Sequence, residues 1–231
     1  MQPSASKARQ VARAGMTMEI YYRDRAPEYD KFYQVPERQH DLERLKLWLV
    51  EHVRGRHILE IAAGTGYWTE AAAAVAKAIT ATDYNPEMLA IAATRNLGSN
   101  VKLRTADAFA LPKFGSPFDA GMAHMWWSHV GKERRHEFLS HFVSRLEPRA
   151  VILMIDQVFG GCNTVSRQDQ WGNLMTLRTL ENGATFEIIK NYPSSEELCD
   201  DFAKVCDDIE IMLLPHFWAL SARVRALIPA D

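Results

Sequence analysis

Two imidazoles and two indoles fall within the run His124-Met-Trp-Trp-Ser-His129. A histidine held beside an acceptor group can take its proton, which makes His124 and His129 the candidate general bases. Trp126 and Trp127 offer flat walls for a substrate ring, or π faces for a cation. Each residue type also has a plainer use. A lone histidine is usually a satisfied hydrogen-bonding group, and one of two adjacent indoles commonly plugs a core. Upstream, Gly64 and Gly66 flank Thr65 in a turn where the backbone can approach a ligand closely. Asp83 and Asp107 end the next two apolar runs. An aspartate at a strand end can accept both hydroxyl hydrogens of a ribose, though Asp83 could also cap the helix that follows.

The elements that must position these groups alternate. Short apolar or β-branched runs at about 57–62, 79–83, 101–105, 118–123 and 150–156 read as strands. Helical spacing falls at about 67–77, 86–94 and 132–146. That rhythm predicts a Rossmann-like, doubly wound α/β fold: a seven-stranded, mostly parallel sheet with helices on both faces. A helix is expected from Pro36 to about Val53, with Leu42, Leu45 and Leu49 on one face and Gly55 ending it. After Asp156 the pattern changes. Residues 157–172 read as a loop, with Gly160-Gly161 as a hinge. Runs at 174–180 and 185–192 flank the turn Glu181-Asn182-Gly183 and form an added β-hairpin. A helix from about Ser194 and two closing strands, 209–214 and 217–224, complete the chain. The domain reading is a flexible tail over 1–18 and one domain over 19–231. Within it lie a helical cap at 19–55 and an insertion at 157–192.

Composition narrows the partners. The chain has 231 residues, 27 basic and 29 acidic, for a net charge of −2. Neither a nucleic acid nor a membrane is expected as partner, since no long-range field draws the chain to a polyanion and no apolar run approaches a bilayer's thickness. Three cysteines without metal spacing, Cys162, Cys199 and Cys206, read as reduced, buried structural thiols of a cytoplasmic protein. No metal site is expected.

Four segments resemble class I S-adenosylmethionine-dependent methyltransferases of the small-molecule, bacterial type. They are Leu-Glu-Ile-Ala-Ala-Gly-Thr-Gly at 59–66, Ala-Thr-Asp-Tyr-Asn-Pro-Glu-Met-Leu at 81–89, Ala-Asp-Ala-Phe-Ala-Leu-Pro at 106–112 and Phe-Asp-Ala-Gly-Met-Ala-His at 118–124. The resemblance covers about residues 19–225. It implies S-adenosyl-L-methionine as cofactor, bound by Tyr29, Glu60, Ala62, Gly64, Gly66, Asp83, Tyr84, Asp107, Ala108 and His124. By the same resemblance, Tyr29 reaches the cofactor carboxylate, and Asp107 with the backbone of Ala108 meets the adenine. Ala62 stands where the family usually has glycine. Glu60 would support the turn or attract the cofactor's amino end. NAD is the rival ligand, but the third glycine of a dinucleotide turn is missing and Tyr67 and Trp68 follow instead.

The implied activity is methyl transfer to an O, N or S nucleophile of a small molecule by in-line displacement. Tyr22, Tyr33, Trp126, Trp127 and His216 are the expected substrate contacts, and an aromatic or heteroaromatic acceptor suits them. The alternative is a non-catalytic partner or sensor domain that binds S-adenosylmethionine. A third reading is another reaction run on the same cofactor. Monomer and homodimer both stand open.

Overall fold

A computed structural model describes residues 17–160 and 165–226. The expected tail up to residue 16, Gly161 of the expected hinge and Cys162 lie outside the described residues. A helix over 17–25 (α1) leads into a 3-10 segment, Ala26–Gln34, and α2 (Gln39–Val53) follows a single 3-10 turn at Pro36–Arg38. Next come β1 (His57–Ile61), α3 (Tyr67–Ala73), β2 (Ala78–Asp83), α4 (Pro86–Ala92) and β3 (Val101–Thr105). Then follow β4 (Phe118–His124), α5 (Arg135–Val143), β5 (Leu146–Gln157), β6 (Val165–Gln168), β7 (Leu174–Thr179) and β8 (Thr185–Ile189). The described chain closes with α6 (Ser195–Phe202), β9 (Cys206–Leu213) and β10 (Phe217–Val224).

The main sheet has seven strands in the order β3-β2-β1-β4-β5-β10-β9. The first five are mutually parallel, and β10 runs antiparallel to both β5 and β9. Both faces are covered, which is why the central strands are apolar without interruption. In β5, Ile152 and Met154 face one core layer, with Phe138 and Phe142 of α5 and Phe202 of α6. Val151, Leu153 and Ile155 face the other, with Leu42, Leu45 and Leu49 of α2. That is the two-residue alternation of a strand sandwiched between helices.

The chain leaves β1 towards β2 and β3, then crosses back to β4 on the other side of β1. A crevice opens beyond the carboxyl ends of strands at such a reversal. The glycine turn leaves β1 there, Asp83 ends β2, and His124 ends β4.

Three features depart from the sequence reading. Residues 157–172 are not a plain loop, because β6 pairs antiparallel with β7 and makes the hairpin a three-stranded sheet. Val165-Ser-Arg-Gln168 is mostly polar, with Ser166, Arg167 and Gln168 exposed, so no apolar alternation announces it. The helices α3, α4 and α5 are shorter than their periodicity suggested. Residues 132–134 form a separate 3-10 turn before α5. Cys206 is buried as expected, whereas Cys199 lies exposed on α6.

Candidate active site

The glycine turn holds its shape through left-handed backbone at Ala62 (φ 53°), Gly64 (φ 56°) and Gly66 (φ 77°). Gly66 allows α3 to pack on α4: a Cβ there would lie 3.0 Å from the Cβ of Ala92. Ala62 holds the same kind of φ with a side chain, at a cost of about 1–2 kcal/mol. The Asp83 carboxylate sits across the turn. Its Oδ2 accepts the Gly64 N–H at 2.8 Å and its Oδ1 the Asn85 N–H at 2.8 Å. Each oxygen keeps a lone pair for a further donor. Burial raises the Asp83 carboxyl to about 6, against the lowering effect of those backbone donors.

Glu60 lies beneath the turn, 2% exposed, and its Oε2 accepts the Thr69 hydroxyl at 2.7 Å. Burial raises its carboxyl to about 8, so it is largely protonated at neutral pH. A neutral buried acid braces the turn; it exerts little pull on a cation.

A cavity of about 470 Å³ opens in front of these groups. Tyr29, Ala62, Gly64, Asp83, Tyr84, Asp107, Ala108 and His124 line it, and so do Tyr22, Trp126 and His129. Five expected residues stand elsewhere. Glu60 and Gly66 lie behind the turn. Tyr33 stacks on Tyr67 with centroids 3.7 Å apart and planes 1° apart. Trp127 is fully buried in the core against Phe138 and Phe202. His216 is tied to Asp41 of α2, with Nδ1 3.0 Å from Oδ2. Only one indole of the pair can face the cavity, because the 3-10 turn Trp127–His129 rotates the second one inward.

Sequence reasoning missed several walls. Phe109 lines the cavity with the Arg134 guanidinium stacked 3.5 Å from its ring centroid. Arg167, Asp169 and Trp171 reach it from β6 and the turn after it. Phe109 stands two residues after Asp107 and could have been found from that position. Arg167 and Trp171 could not, since their strand was not legible.

The two histidines differ in their partners. Neither ring nitrogen of buried His124 has a hydrogen-bond partner within the protein, and the ring faces the cavity. His129 has two: Nδ1 lies 2.6 Å from the Ile189 carbonyl, and Nε2 lies 2.6 Å from the Tyr22 hydroxyl. A carbonyl only accepts, so Nδ1 carries the hydrogen and Nε2 accepts from Tyr22. Burial lowers both imidazoles to about 3 and raises the Tyr22 phenol well above its usual value. Burial therefore works against the base role expected of either histidine, because at neutral pH each binds an added proton weakly.

The turn that carries His129 is fixed by a buried cluster. Asp156 accepts the Ser128 N–H at 2.9 Å and the Lys190 Nζ at 3.1 Å, and Lys190 also donates to Ser128 Oγ at 2.7 Å. Burial would raise Asp156, but the Lys190 ammonium and the backbone donors outweigh it and hold the carboxyl below its usual value. Among the described residues, no group of three or more His, Cys, Asp or Glu could hold a metal ion. No helix among them is long and apolar enough to cross a membrane.

Residues 58–149, the stretch from β1 to the start of β5, match the family model described as a methyltransferase domain. The structure of DhpI with SAH superposes with a TM-score of 0.74 at 29% identity, covering 91% of this chain and 96% of that one. Residues 58–149 thus carry a methyltransferase domain, and the chain has the fold of class I S-adenosylmethionine-dependent methyltransferases. The same relative is also known as a DhpI-SAM-HEP complex, again with a TM-score of 0.74 and 29% identity. The 1,6-didemethyltoxoflavin-N1-methyltransferase of Burkholderia thailandensis, with bound 1,6-didemethyltoxoflavin and S-adenosylhomocysteine, shares the fold. Its TM-score is 0.64 at 15% identity, with 98% of this chain and 93% of that chain covered. The N-methyltransferase NodS of Bradyrhizobium japonicum WM9 does so with a TM-score of 0.65 at 12% identity, covering 91% of this chain and all of NodS. No curated protein matches the chain.

Proposed function

We propose that this protein transfers the methyl group of S-adenosylmethionine to an O, N or S nucleophile of a small molecule. The observation that carries this reading is one cavity lined jointly by Gly64, Asp83, Asp107 and His124. Backbone at Gly64 lets a ligand approach closely, and the spare lone pairs of Asp83 suit ribose hydroxyls. Tyr84, Ala108 and Phe109 suit the flat face of an adenine, and Tyr29 lines the same cavity. His124, buried with both nitrogens unpartnered by protein, suits a polar ligand atom, since a buried polar group normally finds a partner. The size also fits: about 470 Å³ is within the range of small-molecule pockets.

When bound, S-adenosylmethionine supplies a sulfonium-activated methyl group and a neutral thioether leaving group for in-line displacement. The chain's own part is alignment and exclusion of water. Trp126 and Trp171 wall the acceptor side, and the Tyr22–His129 pair fixes a phenol at its edge. With both imidazoles neutral and weakly basic, these residues favour an acceptor that is already nucleophilic when it arrives.

The test is S-adenosylhomocysteine release from S-adenosylmethionine, measured across a panel of small oxygen, nitrogen and sulfur acceptors. Acceptor-dependent release with a methylated product is expected. Tight cofactor binding with no release across the panel would favour a binding or sensor domain. Product formation without cofactor consumption would point to another reaction on the same cofactor.

A further inference from the structure

A second cavity, of about 310 Å³, lies between the N-terminal cap and the β7–β8 hairpin. Tyr22, Tyr29, Met125 and His129 line both cavities, so the two adjoin at the Tyr22–His129 hydrogen bond. The second has a different character. Arg25, Arg38, Arg178 and Lys190 converge on it from three elements: α1, the 3-10 turn before α2, and the hairpin. Lys31, Glu28 and Glu181 also line it: Glu181 pairs with Lys31, and Glu28 accepts the Glu181 N–H at 3.4 Å, so cations still outnumber carboxylates there.

Two of these cations, Arg25 and Arg38, are held by neutral groups. Arg25 donates to the Tyr21 hydroxyl at 2.7 Å and lies over the Tyr29 ring at 5.1 Å. Arg38 donates to the Phe32 carbonyl at 3.1 Å and lies over the Phe32 ring at 4.4 Å. Among the described residues neither forms an ion pair. Lys190 pairs with Asp156, its Nζ 3.1 Å from Oδ1. Burial is the main cause that lowers Lys190 and Arg38, and the charges of Arg25 and Arg178 lower each of them further, so these charges feel one another. Like charges gathered around a half-enclosed space repel, and a bound anion relieves that repulsion. Guanidinium forks match the paired oxygens of a carboxylate or a phosphate-type group.

We propose that this second cavity is an anion subsite: the acceptor is a small organic acid whose oxyanion is held by Arg25, Arg178 and Lys190, with the rest of the molecule at the Tyr22–His129 junction. That it is the acceptor's subsite rests on the methyltransferase reading; that it binds an oxyanion does not. The acceptor class therefore shifts from the aromatic one suggested by Trp126 and Trp127 to an acidic one. Arg38 stands at the rim and adds field.

The experiment is calorimetric titration of the full chain with inorganic phosphate and, separately, with acetate, with and without saturating S-adenosylhomocysteine. One of the two anions is expected to bind, more weakly as ionic strength rises, and the stronger one tells a phosphate-type from a carboxylate acceptor. Arg25→Gln and Arg178→Gln should each weaken that binding at least about tenfold, the loss of one charge-assisted hydrogen bond. Both should leave S-adenosylhomocysteine affinity unchanged, which also shows that they fold. Arg25→Lys should recover part of the loss. Silence from both anions on the wild-type chain overturns the proposal, as does anion binding that neither glutamine variant weakens. If S-adenosylhomocysteine fails to bind the wild type, the cofactor reading falls, and the titrations of the free protein still decide the subsite.

Discussion

Asp83 holds its position through two backbone donors, from Gly64 and Asn85, and pays for burial with a carboxyl raised to about 6. Protons therefore compete with any ligand that needs its ionised oxygens. The sign follows from the direction of the shift. Above about pH 6 the carboxylate is ionised and can accept hydroxyl hydrogens; below it the group is increasingly protonated in the folded protein. S-adenosylhomocysteine affinity should fall as pH drops from 7 to 5, by up to about tenfold if only the ionised form binds. In Asp83→Asn, affinity should be weak throughout and that pH dependence should vanish. Equal pH slopes in the two proteins, read by calorimetry, would remove Asp83 from the ligand. This residue was legible in the sequence because a strand end and a glycine turn bracket it. The fate of Glu60 was not. Its acid position was plain, but its neutrality comes from burial under α3, which no local pattern records. The indole pair shows the same limit: a 3-10 turn sends Trp127 into the core and leaves Trp126 at the cavity.

At the scale of elements, the cap over residues 17–34 is latched to the glycine turn by one aspartate. Asp30 accepts the Thr65 hydroxyl at 2.5 Å and pairs with Arg95. Arg95 also donates to the Thr65 carbonyl at 2.6 Å and to Glu70 at 2.8 Å. The cap supplies Tyr22 and Tyr29 to both cavities, so the latch sets where those phenols stand. Asp30→Asn should loosen it by about 1 kcal/mol, since the pair is partly exposed and screened. S-adenosylhomocysteine should then bind about fivefold more weakly, through faster dissociation, with little change in the thermal midpoint. Unchanged dissociation in stopped flow would show that the latch does not hold the bound ligand. The strands and helices around β1 to β5 were readable because apolar periodicity and turn residues agree there. β6 was not, because an edge strand of Val-Ser-Arg-Gln carries no such period and forms only through β7.

For the whole molecule, one sheet reversal places a turn, two acids and an imidazole around one cavity, and the cap and hairpin add a basic one beside it. The formal net charge of −2 hides that local excess of cations. The basic cavity could not be read from the chain, since Arg25, Arg178 and Lys190 are far apart in sequence and meet only when the hairpin closes on the cap. The most direct check of the central claim is a calorimetric titration of the purified chain with S-adenosylmethionine, with NAD as control. One-to-one binding at roughly 1–100 µM, and silence from NAD, is the predicted result. A protein that unfolds cooperatively on heating yet gives no heat with S-adenosylmethionine would contradict it.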